Sequence, residues 1–140
     1  MVDSNRRGAE GVMDKVQIDK ITDKIIGAAI EVHKTLGPGL LESAYQKALV
    51  HELKLRDMAI KEQVPVPLEY KGVSLDCAYR LDILVDDQII IELKAVEALF
   101  PIHEAQAITY LKLTGKKVCL IINFNNRFIK DGIKRIVNNL

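Results

Sequence analysis

Two stretches, IIIELKAV at 89–96 and VCLIINF at 118–124, place apolar side chains at successive rather than alternate positions. A strand with that pattern is covered on both faces, so both segments are read as central strands. Between them, Pro101 suits the first turn of a helix, and Gly115 suits its end. Strand, helix and strand of these lengths form a right-handed βαβ crossover, which makes the two strands parallel. The chain is thereby committed to a layered α/β arrangement, a sheet with helices on its faces. With 140 residues there is room for one such core.

The other elements arrange themselves around this pair. A first helix is predicted from Asp19 or Thr22, either of which could cap it, to Leu36; Ile21, Ile25, Val32 and Leu36 form its apolar stripe. Gly37-Pro38-Gly39 stops it, and a second helix covers about Leu41 to Arg56. Val64, Val66, Leu68 and Tyr70 alternate around Pro65 and Pro67, as expected of an edge strand. After a turn at Lys71-Gly72, alternation from Val73 to Val85 predicts one long strand. Ile129 to Val137 is read as a short amphipathic helix. The expected order is α-α-β-β-β-α-β-α, a mixed central sheet flanked by helices. Residues 1–17 are read as a polar, poorly ordered arm and 18–140 as the domain.

Composition excludes more than it assigns. No apolar run approaches the roughly 20 residues of a membrane span, and the first residues lack the apolar core of a secretory signal. A soluble, cytoplasmic protein is expected. Cys77 and Cys119 lie in apolar strand-like segments without metal-ligand spacing and are read as buried free thiols. A formal net charge of +1 announces no nucleic-acid partner. From Lys112 onward, however, seven basic residues face a single acid, Asp131. That stretch suits either a phosphate-facing surface or a solvated face. Serine and cysteine nucleophile arrangements and phosphate-cradling glycine loops are absent.

Charge inside apolar elements is the sharper signal. Glu92 and Lys94 are two apart on one strand and share a face, within a run where an unpartnered charge is costly. If Asp86-Asp87-Gln88 is the connecting loop, Asp82 lies directly opposite Glu92. Two carboxylates and an ammonium then converge, offering the oxygen donors that hard divalent cations prefer. The competing reading is a buried salt-bridge cluster of the same three residues. Glu42 projects from the inward stripe of the second helix, since at about 100° per residue Leu49 and Leu53 lie within about 20° of it. A capping role in the first turn is its alternative. On the third helix His103, Gln106 and Tyr110 share a face able to hold a phosphate or a metal-bound water.

These residues carry a resemblance. Gly39-Leu40-Leu41-Glu42-Ser43-Ala44-Tyr45 matches the signature of the GxxExxY proteins, small bacterial and archaeal proteins assigned to the PD-(D/E)xK nuclease superfamily. The likeness runs from about Ile21 to the C-terminus and includes ELKAVEAL and INFNNRFIKDGIKRIV. It implies a restriction-endonuclease-like core and hydrolysis of phosphodiester bonds with Mg²⁺ or Mn²⁺. Under it Asp82 and Glu92, with the Leu93 carbonyl, hold the metal; Glu42 binds through water or serves a second ion. Lys94 positions the attacking water, and Gln106 and Tyr110 resemble a Q-x-x-x-Y motif beside the site. Leu81 stands where the motif has proline, which is not a ligand.

The expected partner is nucleic acid, DNA ahead of RNA, and so small a domain leaves room for pairing as a homodimer. The alternative is a non-catalytic module that binds nucleic acid or another partner on the same fold.

Overall fold

The two doubly apolar runs form the middle of the sheet. The computed structural model describes residues 13–76 and 79–140. Its elements are α1 (Lys15–Leu36), α2 (Glu42–Leu55), β1 (Ile60–Pro65), β2 (Leu68–Tyr70), β3 (Val73–Leu75), β4 (Arg80–Val85), β5 (Ile89–Lys94), α3 (Pro101–Thr114), β6 (Val118–Asn123) and β7 (Ile133–Val137), with a 3₁₀ turn at Ile129–Gly132. Five strands make one sheet in the order β1-β4-β5-β6-β7, and β2 and β3 pair apart from it. β5 and β6 run parallel through α3, while every other pairing is antiparallel. The fold is α/β, a mixed sheet with helices on both faces. Among the described residues no helix is long and apolar enough to cross a membrane.

Each face has its own core. Ile25, Ala28, Leu49 and Leu53 of α1 and α2 pack with Ile83, Ile91, Leu93 and Leu120. Ala107, Tyr110 and Leu111 of α3 pack with Leu84, Ile90, Cys119 and Ile121 on the opposite face. Burying a side chain of this size is worth about 1.5–3 kcal/mol, so these two layers supply the main stabilisation. Cys119 is a buried free thiol, as expected; Cys77 lies outside the described residues.

The register predicted between β4 and β5 holds. Val85 faces Ile89, Leu84 faces Ile90 and Ile83 faces Ile91, which brings Asp82 opposite Glu92 at the next step. One feature of these strands is not legible in their alternation. Ile60 and Ile83 pack into the α1–α2 core, yet Val64 and Leu81 pack into the α3 core, although each pair has the same parity. Both strands therefore exchange faces about Gln63 and Asp82, and Gln63 has a left-handed φ of 50°.

Three boundaries differ from expectation. α1 starts earlier, because Asp14 accepts from the Gln17 N–H (2.8 Å) and Gln17 Oε1 accepts from the Asp14 N–H (3.1 Å). This reciprocal cap leaves Asp19 inside the helix and the buried Thr22 hydroxyl donating back to Ile18 (2.9 Å). Helix thus includes Lys15–Gln17, the end of the stretch read as a polar arm, while residues 1–12 lie outside the described residues. The strands expected over Val64–Tyr70 and Val73–Val85 are each divided. Pro65 and Pro67 lack the N–H that would carry the ladder onward, so β1 ends and β2 pairs locally with β3.

The third correction concerns Ile129–Val137, which is a 3₁₀ turn and strand β7 rather than a helix. Its apolar spacing fits a helix, but β6 has an open edge that β7 fills. On β7 the faces alternate: Lys134 reaches Glu104 of α3 (2.6 Å) and Arg135 reaches Asp19 of α1 (2.6 Å). The approach to β7 depends on Gly132, where a Cβ would lie 2.5 Å from the Asn123 carbonyl oxygen.

Gly132→Ala should therefore lower unfolding free energy by about 1–3 kcal/mol in urea melts, the usual result of overpacking against backbone. Gly27→Ala is the contrast, since its Cβ would meet only the flexible end of Arg56 at 3.2 Å. Inside a helix that change should be neutral or stabilising by up to about 1 kcal/mol.

Candidate active site

The site begins where the β4–β5 ladder gives way. Beyond Ile83–Ile91 the side chains take over bonds that backbone would otherwise make. Glu92 Oε2 accepts from the Asp82 N–H (3.0 Å), and Asp82 Oδ2 accepts from the Leu93 N–H (2.8 Å). Each carboxylate thus braces the opposite strand with one oxygen and keeps the other. In a strand the N–H and C=O of one residue point to the same side, so the Leu93 carbonyl also faces the Asp82 side. Lys94 instead bonds toward β6, its carbonyl accepting from the Phe124 N–H (3.0 Å).

Electrostatics tie four of the predicted residues to one place. Glu92 is only 5% exposed. Burial, then the Asp82 charge, push its carboxyl up to about 8, against the opposing pull of the Asp82 N–H and Lys94. Burial also raises Asp82, with the Leu93 N–H, Lys94 and the Gln63 amide acting against it. Glu42 is exposed as a residue, but partial burial of its carboxyl and then the Asp82 charge raise it, and Lys94 opposes. Among the described residues, no ion pair includes Glu42, Asp82, Glu92 or Lys94. The reading of Asp82, Glu92 and Lys94 as a closed salt-bridge cluster is thereby disfavoured.

Helix α3 supplies the other two residues. Tyr110 is buried, and its hydroxyl accepts from the Gln106 amide (3.2 Å). Burial and then the Glu92 charge raise the phenol, so it stays a proton donor at neutral pH. Both residues line a cavity of about 400 Å³ with Tyr79, Ile102 and Leu113. His103 shares their face, but its Nδ1 accepts from the Phe100 N–H (2.9 Å) and is committed to the start of the helix.

Two neighbours were not foreseen. Gln46, one turn after Glu42, donates to the Asp82 carbonyl (3.4 Å) and accepts from the Gln63 amide (3.1 Å). Gln46 could have been found from its i, i+4 spacing with Glu42. Gln63 could not, because its place depends on the left-handed turn of backbone in β1.

The donors suit a hard divalent cation: one oxygen of Asp82, one of Glu92 and a neutral carbonyl, at a point where two negative charges repel. Among the described residues no three His, Cys, Asp or Glu side chains are grouped closely enough to hold an ion together. Residues 19–136 match the sequence profile of the PD-(D/E)XK nuclease superfamily. The chain belongs to that superfamily. No match was found among curated proteins or among solved structures. PD-(D/E)XK nucleases generally use divalent metal ions, which agrees with this donor chemistry.

The Glu92 environment has a measurable consequence in chelator-treated protein. Between its ordinary 4.5 and about 8, the folded chain keeps a proton that the unfolded chain has released. Stability should therefore fall as pH rises through that window. Glu92→Gln removes the titration while keeping an acceptor for the Asp82 N–H. In urea melts with EDTA the variant should exceed wild type by more than about 1 kcal/mol at pH 8, and the gap should close below pH 4.5.

Proposed function

We propose that this PD-(D/E)XK protein is a Mg²⁺- or Mn²⁺-dependent nuclease that hydrolyses phosphodiester bonds in DNA, and that it is a GxxExxY-type member of the superfamily. The observation that carries the reading is the cross-bracing of Asp82 and Glu92, with Lys94 beside them outside any ion pair among the described residues. Asp82, Glu92 and the Leu93 carbonyl hold the metal in this reading, and Glu42 reaches it through water. When bound, the ion lowers the pKa of water and offsets charge on the phosphate. Lys94 orients the attacking water and stabilises charge that develops on the phosphate oxygens. Tyr110 and Gln106 donate to the scissile phosphate or its neighbour. Gln46 and Gln63 position Asp82 from behind.

The alternative is a binding module without cleavage, favoured by one observation: the described residues contain no three-acid cluster. Salt-dependent binding of oligonucleotides with no divalent requirement would distinguish it.

Calorimetric titration with Mn²⁺ tests the metal, wild type beside Asp82→Ala, and binding should vanish in the variant. Cleavage of DNA and RNA oligonucleotides tests the chemistry. Asp82→Ala and Lys94→Ala should each lower metal-dependent cleavage by roughly two to three orders of magnitude, with the circular dichroism of the fold retained. Wild-type rates in both variants would overturn the assignment.

A further inference from the structure

The basic residues of the C-terminal third are unequally engaged. Lys116 pairs with Asp87 (3.7 Å), Lys134 with Glu104 and Arg135 with Asp19 (both 2.6 Å), and Lys117 donates to the Asn139 carbonyl (3.1 Å). Arg127 and Lys130 form no ion pair among the described residues, and neither does Lys34 at the end of α1. These three cations line one cavity of about 310 Å³ with His33 and Phe128. Phe128 is 62% exposed, and the Arg127 guanidinium lies 5.3 Å from its ring centroid. No acid lines the cavity. Of the acids nearest in sequence, Glu31 accepts from the Thr35 hydroxyl (3.3 Å), and Asp131 is exposed.

This cavity is tied to the end of the sheet that carries Lys94. His33 Nε2 donates to the Asn126 carbonyl (2.8 Å), fixing the end of α1 to the loop after β6. The fully buried Asn123 donates to Asn126 Oδ1 (2.8 Å) and exchanges bonds with the Val96 N–H (3.0 Å) and carbonyl (2.9 Å). Phe124, bonded to the Lys94 carbonyl, is four residues from Phe128, a reach of at most about 14 Å. That equals a few nucleotides at about 3.4 Å of rise each.

We propose that Lys34, Arg127 and Lys130 form a phosphate subsite that seats the backbone of a nucleic-acid strand, a few nucleotides from the bond held at Asp82, Glu92 and Lys94. The identity of the polymer rests on the nuclease reading; the preference for phosphate rests on the three cations. Phe128 covers one side of the seat, against which a sugar or base packs.

Binding of a fluorescent oligonucleotide, measured in EDTA across a salt titration, separates this proposal from cleavage. Lys34→Glu and Arg127→Glu should each weaken binding about three- to tenfold at 50 mM salt, and should reduce the slope of log affinity against log salt by about 0.7–0.9. Lys24→Glu makes the same charge change about 15 Å back along the helix and should leave both nearly unchanged. Wild-type affinity and slope in both subsite variants would overturn the proposal, as would the absence of wild-type binding at low salt. Displacement by an equimolar mononucleotide would assign the cavity to a small phosphorylated ligand and overturn the strand reading. If the nuclease reading alone fails, cleavage is absent while the variants still lose binding. Failure of the subsite alone leaves Asp82-dependent cleavage with unaltered binding.

Discussion

The crossed bonds by which Glu92 accepts from the Asp82 N–H and Asp82 accepts from the Leu93 N–H tie the candidate site to the sheet. A buried carboxylate beside a half-buried one is unfavourable, as the upward displacement of both acids records. They are tolerated because each accepts a backbone N–H from the other's strand where the regular ladder has ended. That arrangement satisfies the backbone and leaves one oxygen of each acid without a backbone partner. It also requires β4 to change faces at Asp82, which the neighbouring β1 matches at Gln63. Neither an unbroken β-ladder nor a closed salt bridge would leave the same pair of oxygens available.

Much of this was readable because it depends on local periodicity. Strand parity together with a three-residue loop fixes Asp82 opposite Glu92, and i, i+4 spacing joins Gln106 to Tyr110, whereas Glu42, which helix phase puts on the inward stripe, is exposed as a residue. The errors arise where a segment's partner decides its conformation. Ile129, Ile133 and Ile136 fit a helical stripe, and only the open edge of β6 makes Ile133–Val137 a strand. Alternation through Val64–Tyr70 continues although the hydrogen-bonding partner changes from β4 to β3. The exchange of faces at Gln63 and Asp82 is hidden in the alternation, because Ile60 and Val64 keep even positions on β1 while Leu81, Ile83 and Val85 keep odd positions on β4.

The spacing of Gly39, Glu42 and Tyr45 has a physical account of its own. Tyr45 is fully buried and stacks on Phe124, with ring centroids 4.7 Å apart. Its hydroxyl donates to the Gly37 carbonyl (2.5 Å) and accepts from the Leu40 N–H (3.1 Å), closing the loop between α1 and α2. Gly39 supplies a φ of 100° in that loop, a backbone angle that side-chain-bearing residues rarely adopt. One residue thus fixes the entry of α2 against the end of β6, and Glu42 is carried in the first turn of the helix so placed. A motif that reads as three separate letters acts as one positioning device for an acid.

Two cavities of the domain are chemically unlike. The cavity bordered by Tyr110 and Gln106 has aromatic and aliphatic walls and no lysine or arginine among its lining residues. The cavity beside the loop after β6 has three cations and one exposed phenylalanine. A net charge of +1 conceals this contrast, since several other cations are neutralised by acids of the helices or of the β4–β5 loop. On the proposed subsite, a strand crossing the site would keep its phosphates toward Lys34 and Arg127, and the apolar side would receive sugar or base. On that reading, attraction comes from a local imbalance of charge rather than from the molecule's net charge of +1.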